Sequence, residues 1–178
     1  KCGREAWNKA QEDEWGRAIM REHRPDLTRN QWTNVFGEDL VAALLTLRDN
    51  AAPWRPVLKS HFKPDLETAD AIIEVKTGTH FTSGTAGEKI LGVPIKYAEV
   101  PELYKKPLTI LCLGGADLRC RGEYNIMSST RTIPPAKLKI LNFLRLSCNT
   151  NYMSGSQLIE DLFVVAATSA MGLPDVTK

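Results

Sequence analysis

The stretch from Lys63 to Lys76, KPDLETADAIIEVK, sets four acids and two lysines around one apolar run. Glutamate and lysine two residues apart are unusual company for a core strand. The segments Val57 to Leu66 and Ala71 to Thr77 read as two strands, joined tightly at Glu67-Thr68-Ala69-Asp70. If Glu67 pairs with Asp70, Asp65 falls opposite Ile72, and His61, Lys63, Asp65, Glu74 and Lys76 share one face of the hairpin at a buried sheet edge. Ala71, Ile73 and Val75 take the opposite face, which suits a core. Asp70 shares the face of Glu74, but along one strand it is about 13 Å away at roughly 3.3 Å per residue. That is too far to share an ion with oxygen ligands at about 2.1 Å. Asp65 is therefore the preferred partner of Glu74, and Asp70 is a turn residue.

Two carboxylates converging with a lysine suit a hard divalent cation, Mg²⁺ with Mn²⁺ as a substitute, and a backbone carbonyl such as that of Val75 can complete the ligand set. Such an ion activates a bound water and stabilises negative charge on a phosphoryl group. Lys76 can position that water, stabilise the transition state or take part in proton transfer. An isolated Glu-x-Lys is usually a solvent-facing ion pair. Here a Pro-Asp precedes at hairpin distance and parity brings the three side chains together, which favours catalysis.

The pattern KPD…IIEVK resembles the PD-(D/E)xK nuclease superfamily over about Gln31 to Gly115, and the stretch from Glu74 to Gly114 is also similar to small type II restriction endonucleases of bacteria and large DNA viruses. The resemblance implies an α/β (α+β) chain with a restriction-endonuclease-like core, a central mixed β-sheet flanked by helices. It implies a metal-dependent endodeoxyribonuclease that cuts both strands at a specific sequence. Asp65 and Glu74 would hold Mg²⁺ and Lys76 would be the catalytic lysine. The implied partners are double-stranded DNA and a second copy in a homodimer. Members often bring an acid from the first core helix to the metal. In NVFGEDLVAALL, Glu38 lies on an apolar line with Val41, Ala42 and Leu45. A carboxylate there needs a cation or partner, although a first-turn glutamate favoured by the helix dipole fits equally well.

The elements that must position these residues follow from periodicity. Arg4 to Glu22 and Gln31 to Arg48 read as helices, the second with Trp32, Phe36, Leu40, Ala43, Leu44 and Leu47 on one face. GTHFTSGTAGEK is a Gly/Ser/Thr-rich loop leading into a helix near Gly87 to Gly92. It lacks the Gly-Lys-Ser/Thr of a Walker loop, yet Ser83, Thr85 and Lys89, together with His61, are candidate contacts to DNA phosphates. Pro107 to Gly115 reads as an apolar strand and Pro135 to Arg145 as a helix with Leu138, Leu141 and Leu144 repeating. Ser154 and Gln157 form a capping box for a last helix carrying Leu158, Ile159, Leu162, Phe163 and Val165, stopped by Gly172 and Pro174. The expectation is one nuclease domain over 1–178, with its core at about 31–115 and a helical part at about 135–172.

With 178 residues, 43% hydrophobic and 25% charged, the chain has ordinary globular composition. No apolar run approaches the roughly 20 residues of a membrane span, and the charged opening segment predicts no secretory leader. Cys2, Cys112, Cys120 and Cys148 show no zinc spacing and read as reduced thiols, with Cys112 in the core. An intracellular, cytoplasmic protein is expected. Between Tyr104 and Arg145 eight bases face two acids, a local excess that could meet a polyanion. A structure-specific repair or junction nuclease, an RNA endonuclease and a non-cleaving nucleic-acid-binding protein stay open as alternatives.

Overall fold

The run Ile72-Ile73-Glu74-Val75-Lys76 is rich in β-branched residues, and it forms a strand buried on both faces. The chain is seen in a computed structural model that describes residues 2–26, 32–78, 86–127 and 132–170. Helices α1 (Cys2–His23) and α2 (Trp32–Asp49) come first, followed by strands β1 (Leu66–Glu67) and β2 (Ile72–Lys76). Short helices α3 (Ala86–Leu91), α4 (Val93–Lys96) and α5 (Val100–Tyr104) lead to β3 (Leu108–Cys112). Helices α6 (Gly114–Gly122) and α7 (Pro135–Ser147) lead to β4 (Thr150–Ser154), and α8 (Gly155–Ala170) follows.

The four strands make one mixed sheet in the order β1-β2-β3-β4. β1 is antiparallel to β2, whereas β2, β3 and β4 run parallel. The fold is thus mixed α/β, a four-stranded mixed sheet flanked by helices. Register assigns the faces. Glu74, Ile110 and Tyr152 lie abreast, as do Lys76, Cys112 and Ser154. Ile72, Leu108, Ile110 and Cys112 on that face pack with Ile90, Val93, Tyr97, Val100, Tyr104, Ala116 and Cys120 from α3 to α6. Ile73, Val75 and Leu111 on the other face pack with Val41 and Leu45 of α2 and Leu158 of α8. Covered faces are what parallel strands with helical crossovers produce.

Several elements differ from expectation. Val57 to Leu66 is not a strand. Only Leu66–Glu67 pairs with β2, extended by a bridge between Trp54 and Glu67. Pro56 and Pro64 lack the N–H a ladder needs. β2 is consequently not the sheet's edge. Glu67, expected in the turn, belongs to β1 and accepts a hydrogen bond from the Lys106 ammonium at 2.7 Å. The strand β4, TNYMS, and the helices α4, α5 and α6 went unread, because Asn, Ser, Pro and Gly punctuate them. At the start of α6, Gly114 takes φ +50°, a left-handed value that costs glycine little.

The carboxylate of Glu12 in α1 spans this turn. It accepts the Gly78 N–H at 3.0 Å and the Gly115 N–H at 2.8 Å. A Cβ at Gly78 would lie 3.0 Å from the Cα of Gly115, so both glycines are needed for the approach. At α8, Ser154 Oγ accepts the Gln157 N–H at 3.5 Å, while the Gln157 side chain turns forward to Asp161. Half of the expected capping box forms. Gly172 and Pro174 lie outside the described residues. Among the described residues no helix is long and apolar enough to cross a membrane.

Candidate functional site

The hairpin register places Asp65 beside Glu74. Leu66 pairs with Ile73 and Glu67 with Ile72, and Asp65, the residue before Leu66, donates its N–H to the Ile73 carbonyl at 3.1 Å, so it lies next to Glu74. The turn tip is Ala69-Asp70 rather than Thr68-Ala69, with the Thr68 N–H donating to the Ala71 carbonyl at 2.9 Å. The pairing has slipped two residues from the expected one. A slip of two keeps every side chain on its face, so the grouping of Asp65, Glu74 and Lys76 holds while the register does not. Asp70 is exposed at the tip, away from them.

Backbone alternation then organises the site. Ile72 donates to the Pro107 carbonyl, and the Lys76 carbonyl accepts from Leu113, so these even positions bond toward β3. Ile73 and Val75 turn their amides toward β1. The Ile73 carbonyl accepts the Asp65 N–H at 3.1 Å, and the Val75 N–H donates to Asp65 Oδ2 at 2.7 Å. The alternation turns the Val75 carbonyl to the same side, past the end of the short β1.

Glu74 is 5% exposed. Its Oε1 accepts from the Lys76 ammonium at 2.5 Å, whereas its Oε2 is buried with no hydrogen-bond partner among the described residues. Glu38, from α2, reaches the same place. Its carboxyl lies close to that of Asp65 and pairs with the Arg55 guanidinium at 2.5 Å. Burial, then the Glu74 carboxylate, push the Asp65 carboxyl from 3.8 up to about 6, against the Val75 N–H and Lys76. Burial and Asp65 also raise Glu38, against Arg55. Tyr97, in the turn after α4, is 4% exposed. Burial and the nearby Glu74 and Asp65 carboxylates push its phenol well up.

The site is therefore three crowded carboxyl groups with too little positive charge. A buried carboxylate oxygen without a partner is costly, and a nearby cation would lower carboxyl groups that burial first, and a neighbouring acid second, hold above their ordinary range. The donor set fits a hard divalent ion, since Asp65, Glu74 and the Val75 carbonyl offer oxygen alone. Among the described residues no group of three or more His, Cys, Asp and Glu side chains is gathered closely enough to hold a metal ion by side chains alone.

The remaining candidates are scattered. His61 is exposed and off any strand, stacked on Phe62 with ring centroids 3.8 Å apart, and Phe62 packs on Tyr97 at 5.2 Å. Lys63 is exposed. Lys89 is exposed on α3, and Ser83 and Thr85 lie outside the described residues. The basic stretch is partly used internally. Lys106 binds Glu67, Arg119 pairs with Glu123 and Arg121 with Asp117, and Lys137 bonds the Tyr124 carbonyl. Lys105, Lys139 and Arg145 remain exposed.

Sequence reasoning missed Arg55 and Tyr97 as neighbours of the acids. Arg55 sits between two prolines, which read only as a helix stop. Tyr97 lies in a short helical crossover broken by prolines. It also missed that Cys112 and Cys120, both fully buried, face each other at 3.6 Å between sulfurs.

A scan against protein-family models gives no match, and searches of curated proteins and of solved structures give none either.

Proposed function

We propose that the chain is a Mg²⁺-dependent endonuclease that hydrolyses DNA phosphodiester bonds, built on a restriction-endonuclease-like core and cutting both strands of a specific sequence. One observation carries the reading: Asp65 lies beside Glu74 across the hairpin, bonded to the Val75 N–H, with Lys76 on Glu74 and the second Glu74 oxygen buried without a partner among the described residues. Asp65, Glu74 and the Val75 carbonyl would hold the ion, with Glu38 adding an oxygen. Bound there, the ion would supply charge stabilisation to the phosphoryl group and a more acidic water.

The chain's own groups do the rest. Asp65 is held by the Val75 N–H at 2.7 Å, which gives its carboxylate one direction. Lys76, two residues beyond Glu74, can orient the attacking water or donate to a phosphoryl oxygen. His61 and Lys89, both exposed, are the candidate contacts to the DNA backbone, together with Ser83 and Thr85 of the sequence between them. A homodimer belongs to this reading, because a two-fold enzyme matches the two strands of a duplex. Its support is the apolar surface of α7, where Ile140, Phe143 and Leu146 are exposed.

Incubating supercoiled plasmid with the protein in Mg²⁺, Mn²⁺ or EDTA tests the activity. Metal-dependent cutting into discrete bands is expected, with duplex preferred over junction and RNA substrates. Undiminished cutting by Lys76→Ala would remove the mechanism.

A further inference from the structure

Among the described residues Arg55 is the cation that pairs with Glu38 from outside the hairpin. Its guanidinium pairs with Glu38 at 2.5 Å and also donates to the Asp65 backbone carbonyl at 3.0 Å. The arrangement is lopsided, because the Arg55 side chain is 60% exposed while that of Glu38 is 15% exposed. The positive group therefore lies at the solvent edge of the acidic cluster. The Arg55 end of the pair is open to water, so the guanidinium can turn away from Glu38 without itself being desolvated, and the acid it leaves needs another cation. Guanidinium geometry matches a phosphate as well as a carboxylate.

We infer that Arg55 is an exchangeable clamp: it covers Glu38 in the free protein and transfers to a phosphate of the bound nucleic acid when a divalent ion takes Glu38. This rests on the nuclease reading and deepens it, by assigning the residue that grips substrate at the metal's edge. The Asp65 carbonyl is the hinge of the exchange, because one arm of the guanidinium can stay on it while the other turns outward. Charge bookkeeping favours the swap. Free, the cluster holds three carboxyl groups against Lys76 and Arg55. With ion and phosphate both present, the ion answers the acids and Arg55 answers the phosphate.

The test uses the full chain and two probes, Mn²⁺ alone, followed by the free-ion spin-resonance signal, and a fluorescent duplex titrated at several salt concentrations in Ca²⁺. For Arg55→Ala the expected results are Mn²⁺ affinity unchanged or tighter, duplex affinity down roughly tenfold, the size of one lost charged hydrogen bond, and a slope of log affinity against log salt shallower by about one. Arg55→Lys should restore the slope but not all of the affinity. Unchanged slope in Arg55→Ala, or weaker Mn²⁺ binding with a lower melting temperature, would show that Arg55 only props Glu38 and would overturn the clamp. If the wild-type chain binds neither Mn²⁺ nor duplex, the nuclease reading falls and the clamp with it. Wild-type binding of both, with a slope indifferent to Arg55, removes the clamp alone.

Discussion

The two sides of the sheet treat charge and apolar surface in opposite ways. At the β1–β2 side, carboxyl groups are buried or half-buried and, among the described residues, a glutamate oxygen has no hydrogen-bond partner. Beyond β4, α7 carries Leu138, Ile140, Phe143 and Leu146 in the open, at 44, 60, 59 and 76% exposure, and buries no residue. Side-chain polarity alone would predict the reverse. The β1–β2 side carries a desolvation cost, which the proposed metal site would account for. The α7 side leaves apolar area in water, which marks a surface for contact.

The contrast can be broken by substitution. Lys76→Ala should cut plasmid cleavage by two to three orders of magnitude, roughly the loss seen for one transition-state donor, with the chain still folded by circular dichroism. Fully buried Ile110→Ala should lose about 2–5 kcal/mol in denaturant unfolding, whereas Phe143→Ser should lose no more than about 0.5 kcal/mol in the monomer. A large loss for Phe143→Ser would mean that α7 is part of the core. Replacing Ile140, Phe143 and Leu146 together by serine should lower the sedimentation coefficient if α7 holds two copies together. An unchanged monomeric value in both proteins would end that reading.

The smallest effect is on pH. With Asp65 at about 6 in the fold against 3.8 ordinarily, the folded chain keeps a proton that the unfolded chain releases between those values. Its contribution to stability is therefore greatest at low pH and is lost as pH rises from about 4 to 6. Relative to Asp65→Asn, the metal-free wild type should melt progressively lower as pH rises across that window, and Mg²⁺ should narrow the gap at neutral pH. A difference that grows in the other direction would contradict the buried-acid account.

Much of the site was legible because it depends on parity. Strand alternation groups Asp65, Glu74 and Lys76 whether the turn closes at Thr68 or at Ala69. The register itself was not legible, since Thr68 fixes it by bonding Ala71, a competition between two equally plausible two-residue tips. Long apolar helices were found for the usual reason, a sustained stripe. β4 was missed because Thr150-Asn151-Tyr152-Met153-Ser154 borrows its stability from β3. Arg55 was invisible because its partners, Glu38 and the Asp65 carbonyl, are brought to it only by the tertiary structure.

The Glu12 clasp also bears on the order of assembly. Its two bonds join positions 66 and 103 residues apart, so they form only after the β2 and β3 ends have met. Contacts of such range are slow to close. Docking of α1 is then expected to be a late folding event, and Glu12→Gln should speed unfolding while leaving the refolding rate nearly unchanged.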